Sequence, residues 1–282
     1  MQSVVITGVS SGIGWGTTKV LIEKGFRVFG SVRKKRDAAR LTREFGEHFV
    51  PLIFDVTDEP AVKVAAKNVR KQLNGETLFG LVNNAGIAVP APLIHQSTDD
   101  FRNQIEVNLV SVLVVTKAFV PLLGSDRSLH GKPGRIINIS SVGGRIGAPF
   151  LGAYAASKHG LEGFSESLRR ELMLYGIDVI IVGPGSIATP IWDKGAQTDL
   201  SSYADTDYLD AAQRMMKFMV NDGKSGYPPE KVGEVVLQAL TMPRPRVRYA
   251  VVPGSAFNRL LQQILPKRVV DNIIAKNLGF KK

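Results

Sequence analysis

The sequence predicts an α/β fold in which seven parallel strands form one doubly wound sheet with helices on both faces. Short runs rich in β-branched and apolar residues recur at residues 3–7, 27–32, 49–54, 78–83, 135–140, 178–182 and 248–252. Stretches of helical length and period lie between them, at 14–24, 37–45, 59–73, 99–123, 155–175 and 229–240. That alternation is what strand-helix-strand units give. The strand runs are apolar throughout instead of alternating with polar residues, as expected of a parallel sheet covered on both sides. At 282 residues the chain is long for one domain, yet an open sheet of this kind uses the length as a single unit, residues 1–282.

The first strand runs into Thr7-Gly8-Val9-Ser10-Ser11-Gly12-Ile13-Gly14, directly before the first helix. A pyrophosphate needs backbone N–H groups aimed at it, the positive end of a helix, and no Cβ where the chain passes close to its oxygens. Gly8, Gly12 and Gly14 fall where those demands meet, with Ser10, Ser11 and Ile13 completing the turn. The spacing is G-x-x-x-G-x-G and not the common G-x-G-x-x-G. Taken alone it also fits a glycine-rich structural turn.

Further motifs follow in order. Asn83-Asn84-Ala85-Gly86 ends the fourth strand, Asn108 sits mid-helix, and Ser141 ends the fifth strand. Tyr154 and Lys158 open the next helix, and Pro184-Gly185, then Ile187 and Thr189, end the sixth strand. Together with the glycine turn these motifs resemble the short-chain dehydrogenases/reductases, over residues 4–189. The resemblance implies a Rossmann-type fold binding a nicotinamide dinucleotide. It implies that Asp55, followed by Val56, contacts the adenine, although an Asp there also suits a helix start. It implies that Asn84, Ala85 and Gly86 line the adenosine side, a place where a polar strand end equally suits bracing. Ile187 and Thr189 would hold the nicotinamide carboxamide beside Pro184 and Gly185.

The choice of cofactor turns on the end of the second strand. An NAD site there offers an acid to the ribose 2′-OH. This chain offers Arg33, which can form paired charge-assisted bonds to a 2′-phosphate, with Lys34 and Arg36 adding to the field. NADP(H) is therefore the expected cofactor and NAD(H) the second choice. Ser11 departs from the basic residue that many NADP-preferring relatives carry before the second turn glycine.

Tyr154 and Lys158 are four residues apart and share a helix face. A tyrosine exchanges protons poorly at neutral pH unless its phenolate is stabilised, which a nearby ammonium does. The resemblance implies that Tyr154 is the acid/base, that Lys158 activates it and holds the nicotinamide ribose, that Ser141 polarises the substrate oxygen, and that Asn108 fixes a water linking Lys158 to solvent. The expected reaction interconverts an alcohol and a ketone or aldehyde. A cofactor-sensing binding protein on the same fold is the reading from another class, and the retention of both Tyr154 and Lys158 speaks against it.

Other chemistries find little support. His48, His95, His130 and His159 lack metal-ligand spacing, cysteine is absent, and no G-x-S-x-G elbow occurs, so no metal is expected. The net charge of +11 favours an anionic partner, but no nucleic-acid motif accompanies it. The N-terminus enters its first strand too soon for a leader, and no run approaches twenty uninterrupted apolar residues, so a cytoplasmic location is expected.

Residues 186–228 read as a polar, irregular excursion over the substrate, bearing Trp192, Tyr203, Tyr208 and the run Met215, Met216, Phe218, Met219, or else as an irregular loop with a core-packed methionine helix. The aromatic and methionine residues suggest a bulky apolar substrate, and the segment from Leu161 to Leu172 with the basic tail resembles retinol- and hydroxysteroid-type members, with carbonyl reductases also similar. The tail, 256–282, is amphipathic: Phe257, Leu260, Leu261, Ile264 and Leu265 precede Pro266, and Val269, Val270, Ile273 and Ile274 follow. It either packs as a lid or docks on a membrane surface. The apolar helices around 103–123 and 151–175 suggest a homodimer or homotetramer.

Overall fold

All seven strands form: β1 (Ser3–Ile6), β2 (Arg27–Val32), β3 (Phe49–Ile53), β4 (Gly80–Asn83), β5 (Arg135–Ile139), β6 (Asp178–Pro184) and β7 (Arg248–Val251). The computed structural model describes residues 1–190, 200–252 and 266–280. The strands pair in the order β3-β2-β1-β4-β5-β6-β7, every pair parallel. The order reverses between β1 and β4, which opens a crevice at the carboxyl edge of the sheet.

β1 shows why the strands do not alternate. Val4 and Ile6 enter one core, with Leu21, Leu41, Val232 and Val236. Val5 enters the other, with Val69, Leu81, Val115 and Phe119. The first core is covered by α1 (Gly12–Glu23), α2 (Lys35–Phe45) and the helix Pro229–Thr241, here α8. The second lies under α3 (Glu59–Gln72), α5 (Ser111–Phe119) and the end of α6 (Gly152–Glu171). Each large side chain removed from water stabilises the fold by about 1.5–3 kcal/mol, so both faces of the sheet must be covered.

α4 (Thr98–Ile105) runs into α5 through a π-turn, Glu106–Val110, and a short 3-10 turn extends the run to Leu123. By length and hydropathy this run, Thr98–Leu123, is the one among the described residues that could cross a bilayer. In the fold it carries the buried amides of Gln104 and Asn108 and sends Phe119, Leu122 and Leu123 into the core.

In the excursion after β6 the core-packed methionine helix forms: it is α7 (Leu209–Lys224), which presents Ala211, Ala212, Met215 and Met219 to Phe150. Those residues recur at three and four, the helical signal, but the polar residues between them dilute it. Asp222 of α7 accepts a hydrogen bond from the Ser186 hydroxyl, tying the helix back to the end of β6. The described part of the tail is α9 (Lys267–Leu278), whose Ile274 and Leu278 join the same cluster. Trp192 and the expected apolar stretch from Phe257 to Leu265 lie outside the described residues.

Candidate active site

The glycine turn is built by its neighbours. Gly8 and Gly12 take φ values of +71° and +59°, where a side chain is strained. The Gly8 N–H donates to Ser31 Oγ at 3.0 Å and the Val9 N–H to the Ser31 carbonyl at 3.0 Å, pinning the turn to β2. Asn84 Nδ2 donates to the carbonyls of Thr7 at 2.8 Å and Gly8 at 3.0 Å. Thr7 Oγ1 accepts the N–H groups of Asn84 at 2.9 Å and Ala85 at 3.0 Å. Between bracing and lining, Asn84 therefore does at least the bracing. A Cβ on Gly12 would meet Thr189 at 3.3 Å, so Thr189 closes over the turn. This cradle, with α1 starting at Gly12 and no side chain in its floor, fits a dinucleotide pyrophosphate.

Arg33 lies 3.7 Å from Asp55, across the ends of β2 and β3. Both are exposed, and such a pair is worth at most about 1 kcal/mol, which leaves the guanidinium available to a phosphate. A second cation stands nearby that sequence reasoning missed. Arg40 Nη2 donates to the Ser10 carbonyl at 2.6 Å, and its Nη1 is held by Glu44 at 3.0 Å. Glu44 also accepts from Trp15 Nε1 at 2.7 Å. Arg40 thus places a guanidinium at the turn where Ser11 offers none. Val56 and Pro184 are buried, Gly185 donates to the Val251 carbonyl at 2.8 Å, and Ile187 is buried where the chain bridges to Tyr227.

Ser141, Tyr154 and Lys158 come together at the carboxyl ends of β4 and β5. Ser141 caps the turn Val142–Gly144, its Oγ accepting the Gly143 N–H at 3.0 Å, and a Cβ on Gly143 would stand 3.4 Å from that Oγ and 3.2 Å from the Tyr154 ring, so the two side chains meet over this turn. Lys158 Nζ is 5.9 Å from the centre of the Tyr154 ring and donates to the Ile139 carbonyl at 2.9 Å. A Cβ on Gly86 would stand 3.7 Å from that ammonium nitrogen, so the strand end expected to line the cofactor also borders the lysine. Burial pushes the Tyr154 phenol above its ordinary value, and the Ser141 contact pulls the other way. The expectation that Lys158 activates the phenol thus meets an opposing effect, and in this site the phenol is the protonated form.

Burial also brings Lys158 down to about 8, against a weaker upward pull from Glu162. The unfolded chain holds that proton to about 10.5 and the folded chain only to about 8. Stability therefore rises with pH across that interval, and the cost of the buried ammonium is fully present below it. The interval corresponds to about 3 kcal/mol, partly offset by the bond to Ile139. Lys158→Met should accordingly raise the melting temperature at pH 7 and change it little near pH 10.5; a lower melting temperature at pH 7 would count against this assignment.

The side chain of Asn108 is taken up by its neighbours. Its Oδ1 accepts the Ile87 N–H at 2.8 Å, and its Nδ2 donates to the Ile87 carbonyl at 2.9 Å and to Ser157 Oγ at 3.0 Å. Ser157 in turn donates to the Tyr154 carbonyl at 2.7 Å. Both amide donors are used, so the side chain braces the segment after β4 against α6, and a water here would have to be held by the backbone. An apolar space between Pro90, Ala91, Phe150, Tyr203, Met215 and Met219 measures about 10 Å³. That is at or below the room for one water, so α7 packs tightly against Phe150 and the segment at Pro90 and Ala91.

A family model described as short chain dehydrogenase matches residues 2–199. The chain belongs to the short-chain dehydrogenase/reductase family and is an oxidoreductase. It is similar to an NADPH-dependent 3-dehydrocapnine reductase of Ornithobacterium rhinotracheale, 38% identical over 278 residues that make up 99% of this chain and 98% of that protein. It is also similar to retinol dehydrogenase 5 of Homo sapiens, 35% identical over 96% of this chain and 87% of that protein. Among solved structures, a short-chain dehydrogenase from Streptomyces avermitilis superposes with a TM-score of 0.77, covering 99% of this chain and 97% of that one at 23% identity. At that identity the likeness bears on the fold alone.

Proposed function

We propose that the protein is an NADP(H)-dependent oxidoreductase that interconverts an alcohol and a ketone or aldehyde on a bulky apolar substrate of steroid, retinoid or lipid type, with Tyr154 as acid/base. The observation that carries this reading is the contact of Tyr154 with Ser141 beside the Lys158 ammonium, at the carboxyl edge of the sheet. When bound, the dinucleotide supplies or accepts the hydride.

The rest is done by this chain. The glycine turn and Thr189 hold the pyrophosphate side, Ile187 the carboxamide side, and Arg33 with Arg40 the 2′-phosphate. Ser141 donates to the substrate oxygen. Tyr154, a phenol protonated at neutral pH and held so more firmly by burial, gives its proton to that oxygen as it gains alkoxide character. Reduction is therefore favoured near neutrality, whereas oxidation requires the phenol to release its proton. The NADPH dependence of the Ornithobacterium relative supports the cofactor. The methionine and aromatic lining under α7 supports the substrate class.

A carbonyl panel assayed with NADPH and with NADH tests this reading: all-trans-retinal, a 17-ketosteroid, a long-chain methyl ketone and a short aldehyde, followed by loss of cofactor absorbance. Turnover should favour NADPH and the larger carbonyls. Arg33→Ala should raise the KM for NADPH roughly 10- to 150-fold and barely move that for NADH, with Arg40 keeping the effect toward the low end. A higher specificity constant for NADH in the parent enzyme would refute the reading of this strand end.

The reading includes a cytoplasmic homo-oligomer. Phe101, Val110 and Leu113 are exposed along the α4–α5 run, and Met173 and Leu174 just beyond α6. Contact with a membrane surface would fall to α9, where Val269 and Ile273 are exposed beside Arg268 and Lys276. Light scattering should give a dimer or tetramer at micromolar concentration, and co-sedimentation with anionic liposomes should be lost when residues 266–282 are deleted.

A further inference from the structure

Glu162 lies on α6 one turn beyond Lys158, with its side chain only 13% exposed. A carboxylate withdrawn from water needs a counter-charge. Arg248, on β7 and 15% exposed, supplies it. Its Nε donates to Glu162 Oε2 at 2.9 Å and Oε1 at 3.2 Å, and its Nη2 to Oε1 at 3.1 Å. The same Nη2 reaches the Ser141 carbonyl at 3.5 Å. Arg145, from the turn after β5, approaches Glu162 at 3.8 Å.

The sheet makes room for this pair. A Cβ on Gly183 of β6 would stand 2.5 Å from Arg248 Nη2, and one on Gly144 would stand 3.0 Å from Glu162 Cγ. A buried ion pair is weak as a source of stability, since an apolar pair of the same volume often serves as well or better. Its position is more informative. It spans 86 residues of sequence, joins α6 to β7, and touches the residue on which the Ser141 turn begins.

We propose that Glu162 and Arg248 form a positioning pair for the active site, fixing the Ser141 turn between α6 and β7 and placing a carboxylate one turn from Lys158 to keep its ammonium charged. The proposal rests on the reading of Tyr154 and Lys158 above. Lys158 is buried with the Ile139 carbonyl as the acceptor of its bond. The groups facing this corner are Tyr154 and Glu162 from α6, Arg145 from the turn after β5, and Arg248 from β7. Glu162 supplies the negative charge among them, and the two arginines offset it.

The variants therefore act in opposite directions. Glu162→Gln removes the carboxylate that helps Lys158 hold its proton, which is then lost at lower pH. Arg248→Met removes the guanidinium that offsets the Glu162 carboxylate, so the proton on Lys158 is held to higher pH.

The test needs no substrate. Melting temperature is recorded from pH 6 to pH 11 for the parent, Glu162→Gln, Arg248→Met and the double variant, each with and without Lys158→Met. The difference within each pair isolates the lysine, and the pH at which that difference begins to close marks its titration. The onset should fall by about one pH unit for Glu162→Gln and rise by a similar amount for Arg248→Met, with the double variant near the parent. Onsets that coincide with the parent, or that move the same way in both single variants, would overturn the proposal and leave the pair a packing element. Tyr154→Phe assayed in parallel keeps the two readings apart. If the onsets split while that variant stays active, the pair's field on Lys158 stands and the catalytic reading falls. If the variant is inactive and the onsets coincide, only the present proposal falls.

Discussion

Tyr154→Phe is expected to lower kcat for carbonyl reduction by a factor of roughly 10²–10⁴, the range lost when a positioned proton donor is removed. The substitution deletes one oxygen and leaves the ring, so packing against Gly143, where a Cβ would stand 3.2 Å from the ring, is kept. Dinucleotide affinity should stay within about twofold, because the braces of the glycine turn run through Thr7, Ser31 and Asn84 and not through Tyr154. The melting temperature should stay close to the parent's, since one hydroxyl is lost and the ring keeps its packing. The variant's single-turnover rate with NADPH, set beside a dinucleotide titration by fluorescence, separates chemistry from binding. Activity within tenfold of the parent would remove Tyr154 from the mechanism.

Gly14→Ala is expected to have the next largest effect, through the backbone. The added Cβ would stand 2.3 Å from the Gly8 carbonyl oxygen and 2.5 Å from Asn84 Nδ2. Neither neighbour can yield cheaply, because the Gly8 carbonyl accepts from Asn84 and the Gly8 N–H is held by Ser31. Overpacking of this kind costs about 1–3 kcal/mol. The displaced turn should also lose dinucleotide affinity by tenfold or more, as its N–H groups no longer converge. Gly163→Ala is the control: Gly163 is exposed on α6 with no atom within 4 Å of an added Cβ. Higher helix propensity there should stabilise by up to about 1 kcal/mol. Equal melting temperatures and dinucleotide affinities for Gly14→Ala and the parent would refute the reading of the turn.

The strands were legible because burial on both faces leaves an apolar run with no competing pattern, and most boundaries fell within one or two residues. α6 begins at Gly152, three residues before the expected start, so Tyr154 lies in its first turn. The trio of Ser141, Tyr154 and Lys158 was legible for a different reason: the proposed chemistry demands particular residue types, and two of the three fall at helical spacing. What could not be read were partners distant in sequence. Ser31 holds Gly8 from 23 residues away, Arg40 reaches Ser10 across 30, Ser157 meets Asn108 across 49, and Arg248 meets Glu162 across 86. Nothing local marks these residues: the pairing of β1 with β2 and of β6 with β7, and the packing of the π-turn on α6, bring them together. α7 was legible as the alternative to an irregular excursion: the spacing of Met215 and Met219 marks a helix face, while the polar residues on its outward face blur the period.

The π-turn Glu106–Val110 sets the phase between α4 and α5. A π-turn holds one residue more than the α-helix needs over the same rise, so it offsets the two flanking helices by about 100° in azimuth. Removing any one residue from 106–110 would close the run into an uninterrupted α-helix and roll one side of it by that angle. Val115 and Phe119 would then leave the core, or Gln104 would turn away from the Val89 N–H that it accepts at 3.0 Å. Substitutions in this stretch change one contact at a time, whereas a single deletion changes every contact beyond it. The place of Asn108 opposite Ile87 and Ser157 is therefore fixed by residue count as much as by residue type.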